Sequence, residues 1–220
     1  GYNTLFALNA GTDAYNVAIG YDAGTSVTTG VLNTIIGGLS GDALTSGSRN
    51  VAVGYNALGS EDTGSRSTAV GYFALNSQNS GSSGNYNIAL GYNAGKEVTT
   101  GVQNTVIGSL AGDALTEGSN NIIIGYDAAA SAVDVSNEVT IGNSSIANVR
   151  IPSDSTLKIG ADGDLQLEHV SSNSFIKNTA VGDLYIENQV DDKDIIFRCD
   201  DGSGGVATYF KLDGSSSNLQ

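Results

Sequence analysis

The chain has 220 residues, of which 40% are hydrophobic and 15% are charged, and its formal net charge at pH 7 is −14. We expect no nucleic-acid partner and no binding to anionic membranes, because so acidic a chain has no basic excess with which to neutralise phosphates. No apolar run approaches the roughly 18 residues that a transmembrane helix requires, so we also expect no membrane insertion.

A nine-residue pattern recurs along the first two thirds of the chain, as NVAIGYDAG from Asn16, NVAVGYNAL from Asn50, NIALGYNAG from Asn87 and NIIIGYDAA from Asn121. The glycine after the apolar triplet returns at every seventeenth position, with one longer gap after Gly71, at Gly20, Gly37, Gly54, Gly71, Gly91, Gly108, Gly125 and Gly142. A longer repeat relates residues 15–58 to residues 86–129, which are identical at 28 of 44 positions. The segment NTLFALNAG from Asn3 is interpreted as a degenerate first copy.

Each repeat is a short burst of Val, Ile and Ala between Asn and Gly, which is typical of strands and turns and not of helices. Helical repeats also need more residues per unit. Such a repeat fits one small closed coil, and about nine coils stacked about 4.8 Å apart make a rod about 40 Å long. We therefore predict an all-β fold, a parallel β-roll or β-solenoid with 17-residue coils over residues 1–142.

The strand of each coil is apolar on both faces. The third residue after the asparagine is always large, and we predict a structural core column from Ile19, Ile36, Val53, Val70, Leu90, Ile107 and Ile124. The residue before it is also apolar, and adjacent strand residues point to opposite faces. One face can line the coil, whereas the other needs a partner, most simply the same surface of other copies of the chain. The sequence leaves open which column lines the coil.

Two further columns have alternative interpretations. Tyrosines follow the repeat glycine at Tyr21, Tyr55, Tyr72, Tyr92 and Tyr126, and stacked in successive coils they would form an aromatic strip able to contact glycans. The favoured alternative is that each ring packs along the coil edge with a solvated hydroxyl. The asparagines that open the repeats suit turns, since Asn tolerates left-handed backbone and hydrogen-bonds locally, and their amides could also bond to one another along the rod.

The character of the sequence changes between Gly142 and Pro152, where the repeat stops and the single proline lies. We therefore divide the chain into a repeat domain, 1–142, and a β-rich C-terminal section, 143–220. The stretches TLKIGADGDLQLEHV and DLYIENQVDDKDIIFRCD alternate polar and apolar residues. This alternation predicts short strands with one wet face, joined by Asp/Gly turns.

The tandem NxA[IV]GxxA motif resembles the left-handed parallel β-roll head of trimeric autotransporter adhesins, whose repeat is usually shorter. The segments GDLQLEHVSSNSFIKN, GDLYIEN and KDIIFRCDDGSGGVATYFKLDGSS resemble a part of tail-fibre and other structural proteins of tailed phages, where it accompanies upstream repeats of this kind. The resemblance implies a left-handed roll, a homotrimer and other virion tail proteins as partners.

Few side chains could carry catalysis or hold a metal ion. Cys199 is the only cysteine, which rules out an intrachain disulfide, and His169 is the only histidine, with no accompanying signature of a general base or metal site. The acidic groups lack the spacing of a calcium loop and are interpreted as turn residues: Asp162, Asp164, Asp191, Asp192, Asp194, Asp200 and Asp201. No spacing selects a carboxylate pair for glycoside hydrolysis. We predict no enzyme activity, no cofactor and no metal.

The expected function is that of a structural fibre segment in the virion of a tailed phage, contributing to host-surface attachment through a surface glycan or an outer-membrane receptor. The alternative is the head of a bacterial trimeric autotransporter adhesin at the cell surface. A polysaccharide-degrading tailspike is the least favoured interpretation. The sequence contains no methionine, so we expect an internal or processed piece of a longer protein.

Overall fold

The chain folds into two compact units, Gly1–Asn148 and Val149–Gln220, in a computed structural model. The boundary lies inside the Gly142–Pro152 stretch that the sequence marks. The structure describes residues 1–11, 13–81, 84–146, 148–150, 156–159, 165–170, 173–179, 183–190, 192–200, 203 and 205–212. Regular structure in these residues is entirely β, so the predicted all-β class is confirmed. Within the same residues there is no helix that is both long and apolar enough to cross a bilayer.

The first unit is a parallel β-solenoid. Its described residues form one eight-stranded sheet in chain order, and every strand pairs in parallel with the next. The strands are β1 (Val17–Ile19), β2 (Thr34–Ile36), β3 (Val51–Val53), β4 (Thr68–Val70), β5 (Ile88–Leu90), β6 (Thr105–Ile107), β7 (Ile122–Ile124) and β8 (Val139–Ile141). Equivalent repeat positions are paired, which confirms the predicted coil length. Seven full turns separate the eight strands, so the described coils with a strand number one fewer than the predicted nine.

The difference arises at the N-terminus, where NTLFALNAG is turn and not strand. The Tyr2 ring stacks on Tyr21 with centroids 5.6 Å apart, and the Asp22 backbone N–H donates to the Tyr2 carbonyl. Gly1 and Tyr2 therefore align with Gly20 and Tyr21, and the described chain enters the solenoid partway round a coil. The prediction of a strand copy at Asn3 is wrong, because the Gly-Tyr pair and not the asparagine sets the register there.

The coil interior is built on the smaller apolar column. The middle residue of each strand from β2 to β7 is fully buried: Ile35, Ala52, Ala69, Ala89, Val106 and Ile123. The column predicted as structural core lies on the other, outward face of the sheet: Ile19, Ile36, Val53, Val70, Leu90, Ile107 and Ile124. Ile19 is 58% exposed and Ile124 is 37% exposed near the ends of the sheet. That column therefore does not line a coil.

The glycine after each strand allows successive coils to approach at the backbone. Gly108 has a φ of 132°, and a Cβ placed on it would lie 2.3 Å from the carbonyl oxygen of Gly125. The equivalent clash recurs from Gly20 to Gly91, so any side chain here would push neighbouring coils apart. This contact explains why the glycine column has no exception.

The asparagine column joins each coil to itself and to the next. Asn50 donates from Nδ2 to the Gly64 carbonyl at 2.9 Å, and its Oδ1 accepts the backbone N–H of Ser67 at 2.9 Å. Asn16, Asn33, Asn87, Asn104 and Asn121 make the equivalent pair of bonds. Predicted local hydrogen bonding is thus observed. The left-handed backbone belongs to the preceding residue instead, as at Leu32 (φ 62°) and Gln103 (φ 62°).

The second unit contains a three-stranded antiparallel sheet and a hairpin. The sheet has the order β11-β10-β9, from β9 (Thr156–Ile159), β10 (Leu165–Val170) and β11 (Asn173–Asn178). The hairpin pairs β12 (Ile195–Asp200) with β13 (Val206–Leu212) and has a register irregularity between Phe197 and Arg198. Residues 183–190 alternate in polarity but form no strand, because no segment that the structure describes pairs with them in a ladder. That part of the strand prediction is wrong.

Candidate functional site

The tyrosine column forms a surface strip at the end of the strands. The five predicted tyrosines are 46–67% exposed: Tyr21, Tyr55, Tyr72, Tyr92 and Tyr126. Tyr55 and Tyr72 stack with centroids 5.5 Å apart and an interplanar angle of 18°, and Tyr72 and Tyr92 do so at 5.4 Å and 12°. The rings therefore cover one another's faces within the strip. Its solvent side consists of ring edges and hydroxyl groups.

The strip is interrupted twice. In the second coil Gly38 takes the tyrosine position, and in the sixth coil Ser109 takes it. The two positions are equivalent in the long repeat that relates residues 15–58 to residues 86–129. The interruptions divide the column into Tyr2 with Tyr21, then Tyr55 with Tyr72 and Tyr92, and finally Tyr126. A sequence search for tyrosines alone misses this division, whereas aligning the coils reveals it.

A shallow pocket lies beside the central stack. Tyr72, Phe73, Tyr92, Asn93 and Lys96 line it. The Phe73 ring is tilted against Tyr72 at 4.5 Å, and Lys96 forms an ion pair of 3.2 Å with Glu97. The Oδ1 atom of Asn93 is buried without a hydrogen-bond partner. Aromatic faces, an amide and an ammonium group are binding chemistry and contain no nucleophile-and-base pair.

Two acidic side chains of the solenoid have perturbed ionisation. Burial raises the pKa of Asp42 above its ordinary value, and the nearby charge of Asp22 raises it further, against hydrogen bonds from the backbone N–H groups of Asp42 and Ala43. The pKa of Glu138 is lowered, chiefly by the hydroxyl and backbone N–H of Ser131 and also by Thr140. The first effect comes from burial in the coil, and the second comes from local hydrogen bonds.

A buried polar cluster fills the middle of the solenoid. Glu61 is fully buried, and its carboxylate accepts hydrogen bonds from Gln78 at 2.8 Å, from Asn85 at 2.7 Å and from the Gly64 backbone N–H at 2.7 Å. Gln78 also accepts a bond from Asn87 at 2.7 Å and donates one to Ser67 at 3.1 Å. The cluster lies where Ser67 replaces the column asparagine and where one coil is longer than the others. It is fully enclosed, which assigns it to coil packing.

The remaining candidates of the sequence do not converge on one site. Cys199 is an exposed free thiol on β12, and His169 lies on β10 opposite Ser174. Asp194 pairs with Lys211 at 3.0 Å, Asp192 has left-handed backbone, and Asp200 ends β12. Asp162, Asp164, Asp191 and Asp201 lie outside the described residues. In the part of the chain that the structure describes, no group of three or more His, Cys, Asp or Glu residues could hold a metal ion.

Comparison with protein-family models, with curated proteins and with solved structures finds no match.

Proposed function

We propose that this chain is a structural segment of a tailed-phage appendage, that it assembles as a homotrimer and that it contributes to attachment at the host surface. One observation carries the proposal, namely the apolar outward face of the eight-stranded sheet. Parallel sheets are almost always covered on both faces. The coil covers one face here, and a single chain leaves the other in solvent.

The outward face consists of two columns, the first and third residues of each strand. The first column contributes exposed apolar side chains at Val17, Ile88 and Ile122, and threonine at β2, β4 and β6. The third column contributes the seven large residues from Ile19 to Ile124. A mainly apolar surface of this kind, half-buried to exposed in the single chain, indicates an interaction surface, and identical copies of the chain supply a matching one. Three copies that meet along their sheets would form a rod.

A binding role fits this architecture better than catalysis. Repeat arrays present long regular surfaces, and recognition on them rests on shallow contacts that three chains multiply. Other virion tail proteins would join the rod end to end, and a host glycan or an outer-membrane receptor would contact its sides. The head of a bacterial trimeric adhesin is the second candidate, favoured by the same tandem NxA[IV]GxxA repeat. The two differ in their flanking sequence, which is a tail-docking segment in one and a membrane anchor in the other.

The first test measures mass. Light scattering of the purified chain should give three times the 22.3 kDa of one chain. A soluble monomer would contradict the trimer. Gold-labelled antibody against the solenoid should then decorate the tail region of phage particles that carry the gene. Labelling of bacterial cells without phage would favour the adhesin.

The non-enzyme part of the proposal has its own measurement. The trimer is incubated with purified host surface polysaccharide, and reducing ends and polymer length are followed over time. We expect neither to change. Release of defined oligosaccharides, abolished by changing one pair of carboxylates, would establish a polysaccharide-degrading tailspike instead.

A further inference from the structure

We infer that the two interruptions of the tyrosine strip are binding slots, each accepting one uncharged pyranose ring between facing tyrosine rings. The first slot lies at Gly38 between Tyr21 and Tyr55. The second lies at Ser109 between Tyr92 and Tyr126. The inference rests on the proposed function, because it names the ligand class of a host-attachment surface, but it is tested separately.

Stacking within the strip leaves ring faces open at the interruptions and at the two ends of the column. Tyr72 has a ring on each side, at 5.5 Å and 5.4 Å, so neither of its faces is available. Tyr2 covers one face of Tyr21 at 5.6 Å. Apart from the outer faces of Tyr2 and Tyr126 at the ends of the column, the faces that remain uncovered by other tyrosines are those of Tyr21 and Tyr55 toward Gly38, and those of Tyr92 and Tyr126 toward Ser109. Sugars bind aromatic side chains through ring faces, so the slots are the places in the strip where one ligand ring can stack on two tyrosines at once.

Gly38 differs from the column glycines because the fold does not require it. A Cβ on neighbouring Gly37 would lie 2.3 Å from the Gly54 carbonyl oxygen, and Gly37 has a φ of 134°. A Cβ on Gly38 would meet its nearest atom, a carbon of the Tyr55 ring, at 3.5 Å, which is ordinary contact. Gly38 also lacks the positive φ of the column glycines. Five other coils carry tyrosine at this position. The small residue therefore keeps space open beside the Tyr55 ring.

The size of the slot matches one flat ring. Successive coils are spaced about 4.8 Å apart, so rings that flank a skipped coil are about 10 Å apart. Aromatic rings stack with centroid separations of roughly 4.5–7 Å, and one inserted ring about 5 Å from each tyrosine fills that distance. A pyranose has the required thickness and presents C–H groups to both faces.

Charge selects an uncharged ligand. Asp22 follows Tyr21, Asp127 follows Tyr126, and residues 1–142 contain 11 acidic and 3 basic residues. Carboxylates accept hydrogen bonds from sugar hydroxyl groups and repel sialic or uronic acids. The same slot occurs twice in each chain, four coils apart, at a separation of about 19 Å. Two slots per chain, multiplied by the copies in an assembly, would convert weak single-ring binding into avidity.

The test fills the slots with the side chain that other coils already carry. The double variant Gly38→Tyr/Ser109→Tyr extends the stack through both interruptions, so it should fold and melt at or above the wild-type temperature. The control Gly38→Ala/Ser109→Ala keeps both slots open. Binding is measured by saturation-transfer NMR with uncharged oligosaccharides of glucose, galactose, mannose and N-acetylglucosamine. Sialylated and uronic-acid oligosaccharides and choline serve as charged comparators.

We expect uncharged sugars to receive saturation from the wild type and the alanine control, and the double tyrosine variant to lose the signal. The inference would be overturned if none of the uncharged sugars received saturation, or if they received as much from the double tyrosine variant as from the wild type. It would also be overturned if choline alone received saturation. Its failure is distinguishable from failure of the proposed function. If the chain is a trimer and the antibody labels phage tails but no sugar binds, only the slots are refuted. If the chain is a monomer and its slots bind sugar, only the trimer is refuted.

Discussion

Four asparagines of the column each take part in three hydrogen bonds that satisfy backbone groups, namely Asn33, Asn50, Asn104 and Asn121. Asn104 donates its backbone N–H to Asn87 Oδ1 at 2.8 Å, donates from Nδ2 to the Gly118 carbonyl at 2.8 Å, and accepts the Asn121 backbone N–H at 3.0 Å. It is fully buried, so water cannot replace these bonds. A residue chosen only for its turn propensity would not need to be asparagine in coil after coil.

Replacing Asn104 with alanine should therefore destabilise the solenoid strongly. The Gly118 carbonyl and the Asn121 N–H would lose their partners, and each buried orphan costs about 1–3 kcal/mol. We expect the urea midpoint to fall accordingly in equilibrium unfolding followed by circular dichroism. Asn79→Ala is the matched control, because Asn79 is exposed, and surface substitutions change stability by about 0.5 kcal/mol or less. Equal effects of the two substitutions would contradict the bridging role.

Asp42 provides a prediction on pH. Because burial raises its pKa in the folded state, the folded chain binds more protons than the unfolded chain, and stability falls as pH rises through the raised pKa. Asp42→Asn should therefore melt above the wild type at pH 7. The difference should vanish near about pH 3, below the ordinary aspartate range. Melting curves of both proteins from about pH 3 to 7 check this, and a difference that is constant across the range would refute the titration as its cause.

At the scale of one coil, two interior positions exchange roles. Coils with glycine at one position carry Val or Leu three residues later, as at Gly41 and Leu44. Coils three and four carry leucine first and a polar residue second, at Leu58 with Glu61 and at Leu75 with Gln78. All four of these side chains are fully buried, and both leucines have left-handed backbone, where glycine is easier to accommodate. Each coil therefore has room for one large apolar side chain from this pair of positions.

Because the two positions share one space, a second substitution at Leu58 should partly restore the stability that a substitution at Glu61 removes. Glu61→Leu should destabilise the chain, because it overpacks against Leu58 at a cost of about 1–3 kcal/mol. It also removes the acceptor of the Asn85 amide and one of the two acceptors of the Gln78 amide. Adding Leu58→Gly reproduces the arrangement of coil two and should recover the packing part of the loss. The double variant is thus expected to melt between the single variant and the wild type. A double variant less stable than Glu61→Leu alone would refute the shared space.

Some features of this fold can be predicted from the sequence, and others cannot. The coil length follows from the glycine period, because a single steric requirement repeats without exception. The inward face is ambiguous in the sequence, since alanine and isoleucine columns are both apolar and only the closed coil shows how narrow its interior is. The slots at Gly38 and Ser109 depend on the direction in which the tyrosine rings stack, and this direction cannot be predicted from the order of residues in the sequence. Alternation over residues 183–190 predicts a strand, but a strand also requires a neighbour.

At the scale of the whole molecule, the two faces of the sheet give opposite expectations for the same kind of substitution. A charge at Val106 would enter the coil interior and disrupt folding of the solenoid itself. A charge at Ile107, on the next residue, would leave the interior intact and alter only the outward face. Neighbouring coils share the interior column, so a defect at Val106 spreads along the stack. Comparing adjacent positions of one strand therefore separates folding from assembly.

Ile107→Asp is the decisive variant for assembly. In the proposed trimer the carboxylate would be buried without a partner in every chain, and even an uncompensated polar group costs about 1–3 kcal/mol by protein mutational data, a charge more. We expect light scattering to report loss of the trimeric species, with the β-type circular dichroism of the chain retained. Thr100→Asp, at an exposed turn position, adds the same charge off the sheet and should leave the mass unchanged. If Ile107→Asp keeps both the trimer mass and the melting temperature, the outward face is solvated in the assembly, and the chains must meet through another surface.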